Sequence, residues 1–553
     1  ISHRVAGLPY SRTHTRHNVH GGRAGAAFPR CRFRAPHMEG DNGVQLEATH
    51  RPGIVPGADD ASHRTGSAAR DPVLSPRLHN PDLAPTKAEG RTWGRYSIFA
   101  LWTNDVHNIA NYSFAIGLFA LGLSGWQMLA SLAIGAVLVY TFMNLTGYMG
   151  QKTGVPFPVI SRMSFGIYGA LLPAMIRAVI AIAWFGIQTY LASVVLRVLL
   201  TAIWPGLAAF DQDAIFGLST LGWVTFVAIW LVQIGILTYG MEMVRKYEGL
   251  AGPVILVTTL SLAAWMFSRT GGHLAMSIGK PLTGFRMWTE IFAGGSLWLA
   301  IYGTLVLNFC DFARSSPSAK TVRVGNFWGL PVNILVFATI SFVLAGAQFK
   351  LNGHIIHSPT EIIATVPNKL FLVLGCVAFL IVTVAVNIMA NFVAPAFVLT
   401  SLAPHRLSFR RAGLISATVA VLILPWNLYN SPIVIVYFLS GLGALLGPLY
   451  GIITVDYWLV RKQRVNVPDL YTEAPTGAYF YTRGVNRKAL SALVPSALIS
   501  ITLAVVPAFS AMTPFSWLLG AAIAGSVYWL LADRNRHYEE RSGEPIAVAC
   551  ARH

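Results

Sequence analysis

Charged residues are scarce in this chain of 553 residues. Asp, Glu, Lys and Arg together make up 12% of it, about half of the share that soluble domains carry. Hydrophobic residues account for 54%, and the mean hydropathy is +0.54. Such a composition excludes an ordinary soluble protein. It predicts an all-α integral membrane protein whose apolar helices cross a lipid bilayer.

Cysteine is also rare, since only four residues are present and they stand far apart. Their spacing fits neither a metal site nor a disulfide framework. The sequence contains no HExxH or GxSxG motif, and no carboxylates are paired inside the apolar segments. A membrane-embedded enzyme needs a constellation of this kind. We therefore expect no catalytic residue, no metal and no cofactor.

Residues 1–79 lack the apolar core of a secretory signal peptide. They are rich in Arg, His, Gly, Pro and Ser, and we expect them to form a disordered basic tail. The net charge of +18 raises the alternative of nucleic-acid binding. Much of that charge lies in this tail and in short loops, which fits orientation in a membrane better, so we expect no nucleic-acid partner.

Twelve apolar segments occupy the domain that we predict over residues 80–533. About 20 apolar residues cross a bilayer as a helix, and the predicted segments are 96–123, 125–149, 168–203, 214–240, 249–268, 288–310, 325–347, 369–402, 412–428, 432–459, 489–508 and 513–532. Lys and Arg are concentrated in the loops after even-numbered segments. The positive-inside rule then predicts that both termini, including a short tail over 534–553, lie in the cytoplasm.

Polar residues interrupt the first segment, and five of them fall within eight positions: Asn104, Asp105, His107, Asn108 and Asn111. Polar side chains are costly inside a membrane and commonly mark a transport route. On a continuous helix all of them except Asp105 would share one face. The alternative is a polar seam between helices, at about 1 kcal/mol per contact. So many polar residues favour a binding or ion site.

The third and eighth segments also carry polar residues one helical turn apart. Trp184 and Gln188 in the third combine a flat indole with an amide that both donates and accepts hydrogen bonds. That pair suits a planar heterocycle, although ordinary packing explains it equally well. Asn387 and Asn391 in the eighth place two amides on one face in the same way.

In the sixth segment, glycines flank two aromatic residues. Gly294, Gly295 and Gly303 surround Trp298 and Tyr302, which fits either close helix packing or a broken helix that lines a site. Tyr302 is the better placed aromatic because it precedes Gly303.

These features recur at corresponding places in two halves of the chain. Segments one and six match, and so do segments three and eight. Interrupted helices at matching places indicate a midplane site between inverted repeats. We predict one repeat over about 96–268, a second over about 288–459, and two accessory helices over about 489–532.

Seven stretches of the sequence resemble nucleobase:cation symporter family 1, the permeases for hydantoins, allantoin, uracil and cytosine. The resemblance runs from Asn80 to about Ala532 and is carried by NPDLAPTKAEGRTW, HNIANY, GVPFPVISRMSFGIYGA, WFGIQTY, LNFCDFAR, ANFVAPAF and GPLYGIITVDYWLVRKQRVNVPDLY. It implies an inverted five-plus-five repeat with discontinuous helices 1 and 6. It also implies a symporter that imports a nucleobase or a related heterocycle by alternating access.

The resemblance also assigns residues to the substrate. It implies a stacking tryptophan, an amide reader and four further contacts: Trp184, Gln188, Asn391, Asn108, Tyr302 and Leu439. Several members of the family have tryptophan at the position of Tyr302.

The cation site departs from the family pattern. In sodium-using members, helix-1 carbonyls, here those of Asn104 and His107, and a Ser-Thr pair of helix 8 hold the cation. The pair corresponds here to Ala385 and Val386, which carry no side-chain oxygen, whereas hard cations require oxygen ligands. We therefore expect H⁺ rather than Na⁺ coupling, with His107 or Asp105 as the titrating group. A neutral, structural His107 is an equal alternative.

An amino-acid or amine carrier of the same repeat architecture is the nearest rival function. Such a carrier needs an acidic residue in its pocket, and Asp105 is the candidate. A passive channel is a further alternative. We expect a monomer in the lipid bilayer of a plasma membrane, such as a bacterial inner membrane.

Overall fold

The computed structural model describes residues 74–212, 214–356, 359–430 and 441–543. The predicted contact Leu439 and most of the predicted N-terminal tail lie outside these residues. A short antiparallel hairpin, β1 (Ala214–Ile215) and β2 (Leu218–Ser219), interrupts a mainly helical chain. Its α-helices, in chain order, are α1 (Arg95–Val106), α2 (Ile109–Ala120), α3 (Gly125–Thr153), α4 (Phe157–Phe165), α5 (Leu171–Ile203), α6 (Thr220–Thr238), α7 (Met241–Arg269), α8 (Gly284–Ile301), α9 (Gly303–Asn308), α10 (Cys310–Ala313), α11 (Ala319–Phe327), α12 (Asn333–Asn352), α13 (Pro359–Ala364), α14 (Lys369–Asn387), α15 (Val393–Leu402), α16 (Phe409–Leu422), α17 (Pro425–Tyr429), α18 (Gly441–Val455), α19 (Arg487–Val505) and α20 (Ser516–Leu531).

Several of these helices join into longer rods. Single π-helical turns connect α11 to α12, connect α14 to α15 and extend α18: Trp328–Val332, Ile388–Phe392 and Asp456–Val460. Short 3-10 turns complete the described secondary structure: Pro81–Leu83, Ala88–Gly90, Pro205–Asp211, Pro468–Tyr471, Pro507–Phe509 and Thr513–Phe515.

Nine helical stretches within the described ranges are long and apolar enough to cross a membrane. Segments one, six and nine of the sequence prediction are not among them, because each is divided in the structure: α1 from α2, α8 from α9 and α16 from α17. The chain is thus a multi-pass helical membrane protein. The count of twelve crossings and the repeat boundaries stay predictions.

The break in the first segment falls at His107 and Asn108. Asn108 has extended backbone angles, and its side-chain oxygen accepts the backbone N–H of Asn111 at 2.9 Å. Asparagine is a favoured N-cap because it satisfies a donor that the first helical turn leaves free. The side chain therefore starts α2 as a new helix.

The interruption at Tyr302 is smaller. Only this residue leaves helical geometry, with ψ near −3°, and its carbonyl still accepts the N–H of Val306 at 2.8 Å. Gly303 follows it, where a side chain would collide with the indole of Trp517. Glycine thus allows the close approach of α9 to α20 just beyond the interruption.

Residues before Asn80, which the sequence prediction assigned to a disordered tail, are folded from Leu74 onward. Leu74 and Leu78 are 6% and 4% exposed. The backbone N–H of Ser75 donates to the carbonyl of Tyr471 at 2.9 Å. Two leucines in six residues are too short a pattern to reveal such packing from sequence.

Candidate binding site

A cavity lies where the break between α1 and α2 and the interruption at Tyr302 face α5 and the π-turn after α14. Its volume is about 70 Å³, whereas a cavity needs about 10–15 Å³ to hold one water molecule. The cavity therefore has room for several water-sized groups, the scale of one small ring. Its walls are formed by Asp105, Asn108, Ala110, Asn111, Trp184, Gln188, Ile301, Tyr302, Thr304, Leu305, Val386, Ala390 and Asn391.

The structure brings together five of the six residues that sequence assigned to a substrate. Trp184, Gln188, Asn391, Asn108 and Tyr302 all line this cavity, and the sixth, Leu439, lies outside the described residues. Of the three residues predicted to couple a cation or proton, Asp105 lines the cavity, whereas Asn104 and His107 do not.

Gln188 reaches the cavity without a hydrogen-bond partner among the residues that the structure describes. Its side chain is 5% exposed, and its Oε1 is buried without a hydrogen bond. A buried polar group left in this way costs about 1–3 kcal/mol. A ligand with complementary N–H and C=O groups would remove that cost. Trp184, one turn earlier on α5, lies half-buried at the same wall.

Asn391 is oriented by a layer of amides behind it. Its Nδ2 donates to Asn387 Oδ1 at 3.1 Å, which directs its own oxygen away from that layer. The amide nitrogen of Asn387 donates to Phe185 O, Thr189 Oγ1 and Gln233 Oε1 at 3.0, 3.0 and 2.8 Å. The two asparagines therefore differ: Asn387 anchors α14 to α5 and α6, and Asn391 faces the cavity from the π-turn.

Around the helix break, amide side chains replace the lost helical hydrogen bonds. Asn108 and Asn111 donate to the carbonyl of Asp105 at 2.6 and 2.8 Å. Asn111 also donates to the hydroxyl of Tyr302 at 3.2 Å, and Asp105 and Tyr302 both line the cavity. Because both ends of the Asn108 amide bond to the backbone, one donor and one lone pair remain for a ligand.

The predicted common face of the first segment is not formed, and this prediction was wrong. The helix ends between His107 and Asn108, so residues on either side of the break turn toward different neighbours. Asp105, which a continuous helix would place off the polar face, lines the cavity instead.

His107 connects helices outside the cavity. Its Nδ1 lies 2.7 Å from the Tyr112 hydroxyl and its Nε2 lies 3.1 Å from Asn333 Oδ1. Phe337 packs edge-on against the ring at 5.7 Å. Both ring nitrogens are occupied within the protein, which favours the structural alternative for this residue.

Glu248 is a buried carboxyl that sequence reasoning missed. Asn104 Nδ2 donates to its backbone oxygen at 2.9 Å and to its Oε2 at 2.5 Å. The predicted fifth segment begins at residue 249, whereas α7 begins at Met241 and places Glu248 well inside the helix. The hydrogen-bond partner of Glu248 is an amide and not a second carboxylate, so the prediction that carboxylates are not paired inside the apolar segments is not contradicted.

Over residues 85–521 the chain matches the model of a family described as permeases for cytosine and purines, uracil, thiamine and allantoin. It is 36% identical over 462 residues to an allantoin permease of Bacillus subtilis, covering 83% of this chain and 94% of that protein. It is also 32% identical over 521 residues to a purine-uracil permease of Arabidopsis thaliana, covering 90% and 85% respectively.

Solved structures of a transporter named Mhp1 share the fold. A closed form of this nucleobase-cation-symport-1 transporter with bromovinylhydantoin bound superposes with a TM-score of 0.68 at 25% identity, covering 82% of this chain and 95% of that one. An inward-facing form gives a TM-score of 0.63. The TM-score is thus slightly higher for the closed form than for the inward-facing form.

Proposed function

The chain belongs to the family of permeases for cytosine and purines, uracil, thiamine and allantoin, and we propose that it imports one small planar heterocycle. Candidate substrates are uracil, cytosine, allantoin and hydantoins, carried as a secondary active symporter by alternating access. The proposal depends above all on the unpartnered amide of Gln188 beside Trp184, in a cavity bounded by two helix interruptions. Transport requires binding and release without covalent chemistry.

The ring would lie on the indole of Trp184. Aromatic stacking contributes about 0.5–1.5 kcal/mol beyond burial. Gln188 offers both a donor and an acceptor to the ring edge, and the free oxygen of Asn391 accepts an N–H. Asn108 and Tyr302 close the wall opposite, and Leu439 would complete the enclosure.

An amine or amino-acid substrate is the second candidate, because the structure places Asp105 in the cavity. A carboxylate there suits an ammonium group. The heterocycle is favoured because the buried group of the cavity wall that lacks a partner among the described residues is the amide oxygen of Gln188. Competition by uracil, allantoin and hydantoins, but not by amines or amino acids, would separate the two.

Coupling to protons is part of the proposal. Ala385 and Val386, at the helix positions that supply Ser and Thr oxygens in sodium-using members, are buried hydrocarbon side chains at 0% and 2% exposure. A sodium ion would find few oxygen ligands there. We further propose a monomer in a plasma membrane with both termini in the cytoplasm, as the loop charges predict.

A ligand screen on purified protein tests this function. Thermal stability and tryptophan fluorescence are measured with each heterocycle, in sodium and in choline buffer at one pH. We expect one heterocycle to raise the melting temperature equally in both buffers. Stabilisation by amino acids alone would contradict the substrate class, and stabilisation that requires sodium would contradict proton coupling.

A further inference from the structure

Glu248 is a buried carboxyl that the cavity does not use. It is 1% exposed and lies six residues, about 9 Å of helix rise, beyond Glu242, which pairs with Arg245 at the exposed start of α7. A charge at such a place is costly unless it is paired. Glu248 forms no ion pair within the described part of the chain.

Its partner is the amide of Asn104, and the pair is incomplete. Asn104 Nδ2 donates to Glu248 Oε2 at 2.5 Å, while Glu248 Oε1 and Asn104 Oδ1 are both buried without a partner. An ionised carboxylate only accepts hydrogen bonds, as the amide oxygen does. A proton on Oε1 turns that oxygen into a donor, and the unpartnered Asn104 Oδ1 is the matching acceptor. Glu248 Oε2 continues to accept from Asn104 Nδ2, so the protonated acid and the amide complement each other at both ends.

Few other titratable groups lie near this pair. On α1, Asp105 is the charged neighbour, and Tyr96 donates to the carbonyl of Gly249 at 2.7 Å. On α7 itself, Tyr247 is adjacent, and its hydroxyl donates to Ile381 O of α14 at 2.9 Å. Helix α6 has no titratable residue. His107, which follows α1, and the remaining titratable residues of α1, α12 and α14 make no described contact with Glu248; the latter are Arg95, Lys350, Lys369 and Cys376.

The pair is also connected to the cavity. Asn104 precedes Asp105, whose carboxyl lines the cavity and whose carbonyl holds the two amides at the helix break. Glu248 therefore lies between the exposed start of α7 and the wall of the binding site. Gain or loss of a proton there changes the contact of α7 with the last turn of α1.

We propose that Glu248, paired with Asn104, binds the coupling proton. The proton is taken up from outside together with the substrate and is held while the substrate is bound. It leaves when the pair separates, through the exposed start of α7, which the loop charges assign to the cytoplasmic side. This inference rests on the proposed function of proton-coupled import. It assigns the proton to a residue outside the substrate cavity, in place of His107 or Asp105.

Glu248→Gln tests the inference in proteoliposomes, because glutamine preserves the shape and both hydrogen bonds to Asn104 but carries no exchangeable charge. With one proton per substrate, a gradient of one pH unit supports up to about tenfold accumulation. We expect wild type and the matched control Glu242→Gln to accumulate substrate. Glu248→Gln should stay near an accumulation ratio of one, with unchanged binding affinity and substrate exchange, and Glu248→Asp should recover proton-driven accumulation.

Accumulation by folded Glu248→Gln at the wild-type ratio would overturn the inference. Asn104→Leu is the second variant, in case Glu248→Gln is not recovered folded. It removes the amide partner and should also lose accumulation while it still binds substrate, so wild-type accumulation by this variant would equally overturn the inference. Two other results would contradict the proposed function itself. In the first, wild type neither binds nor exchanges any heterocycle, and in the second, wild type accumulates a heterocycle only when sodium is present.

Discussion

Replacing Gln188 with alanine should remove substrate affinity without a loss of protein stability. The side chain makes no hydrogen bond to any described residue, so its removal leaves no partner behind in the empty protein. With a heterocycle bound, the same change leaves one N–H and one C=O of the ligand unpaired in a buried site. At about 1–3 kcal/mol for each of the two groups, the loss is about 2–6 kcal/mol, which raises Kd by about 30-fold at the lower end and about 20,000-fold at the upper end.

Titration of tryptophan fluorescence on purified protein measures this loss, because Trp184 lies at the same wall of the cavity. Thermal unfolding without ligand provides the stability comparison, and its midpoint should be unchanged or slightly higher. Gln151→Ala is the matched control. Gln151 is half-buried at the end of α3, and its amide donates to Pro317 O at 3.5 Å, far from the cavity. A Kd for Gln188→Ala within about threefold of wild type would refute the assigned contact, since two lost hydrogen bonds predict far more.

Three further predictions concern the neighbours of Gln188 and one segment outside the membrane. Trp184→Ala should weaken ligand binding by about 1 kcal/mol or more, whereas Trp184→Phe should keep most of the affinity, both measured by calorimetric titration because these variants lack the fluorescent reporter. Asn387→Ala should lower the thermal midpoint even without ligand, because Gln233 Oε1 loses its 2.8 Å donor. An unchanged midpoint would contradict that role. Although burial opposes it, hydrogen bonds from Ser75 and Tyr168 hold the pKa of Glu473 below its usual 4.5. The stabilisation is thus present above pH 4.5 and is lost as the pH falls below it. The expected sign is a lower protection factor for the backbone N–H of Ser75 in acid, calculated against the intrinsic exchange rate at each pH.

Part of the cavity was predictable because one of its walls is a regular helix. Trp184 and Gln188 lie within the uninterrupted helix α5, where residues four apart share a face. Spacing alone therefore placed both at one wall. The same rule failed for Asn104 to Asn111, since Asn108 ends one helix and begins another. Periodicity contains no information about a change in helix direction.

Other features depend on contacts that are distant in sequence. Asn387 and Asn391 looked equivalent, but the π-turn adds a residue to the helical turn and gives them different partners. Glu248 was missed because apolar composition begins after it, while the helix begins seven residues before it. Its burial comes from α1, and only the folded chain brings Asn104 to its side.

A structure with a bound heterocycle tests the central claim most directly. The claim predicts that the ring lies on the indole of Trp184. It also predicts that the amide nitrogen and oxygen of Gln188 lie at hydrogen-bonding distance, roughly 2.7–3.2 Å, from polar atoms at the ring edge. A ligand bound outside the space between α5 and the break of α1 and α2, with Gln188 still unpartnered, would contradict it.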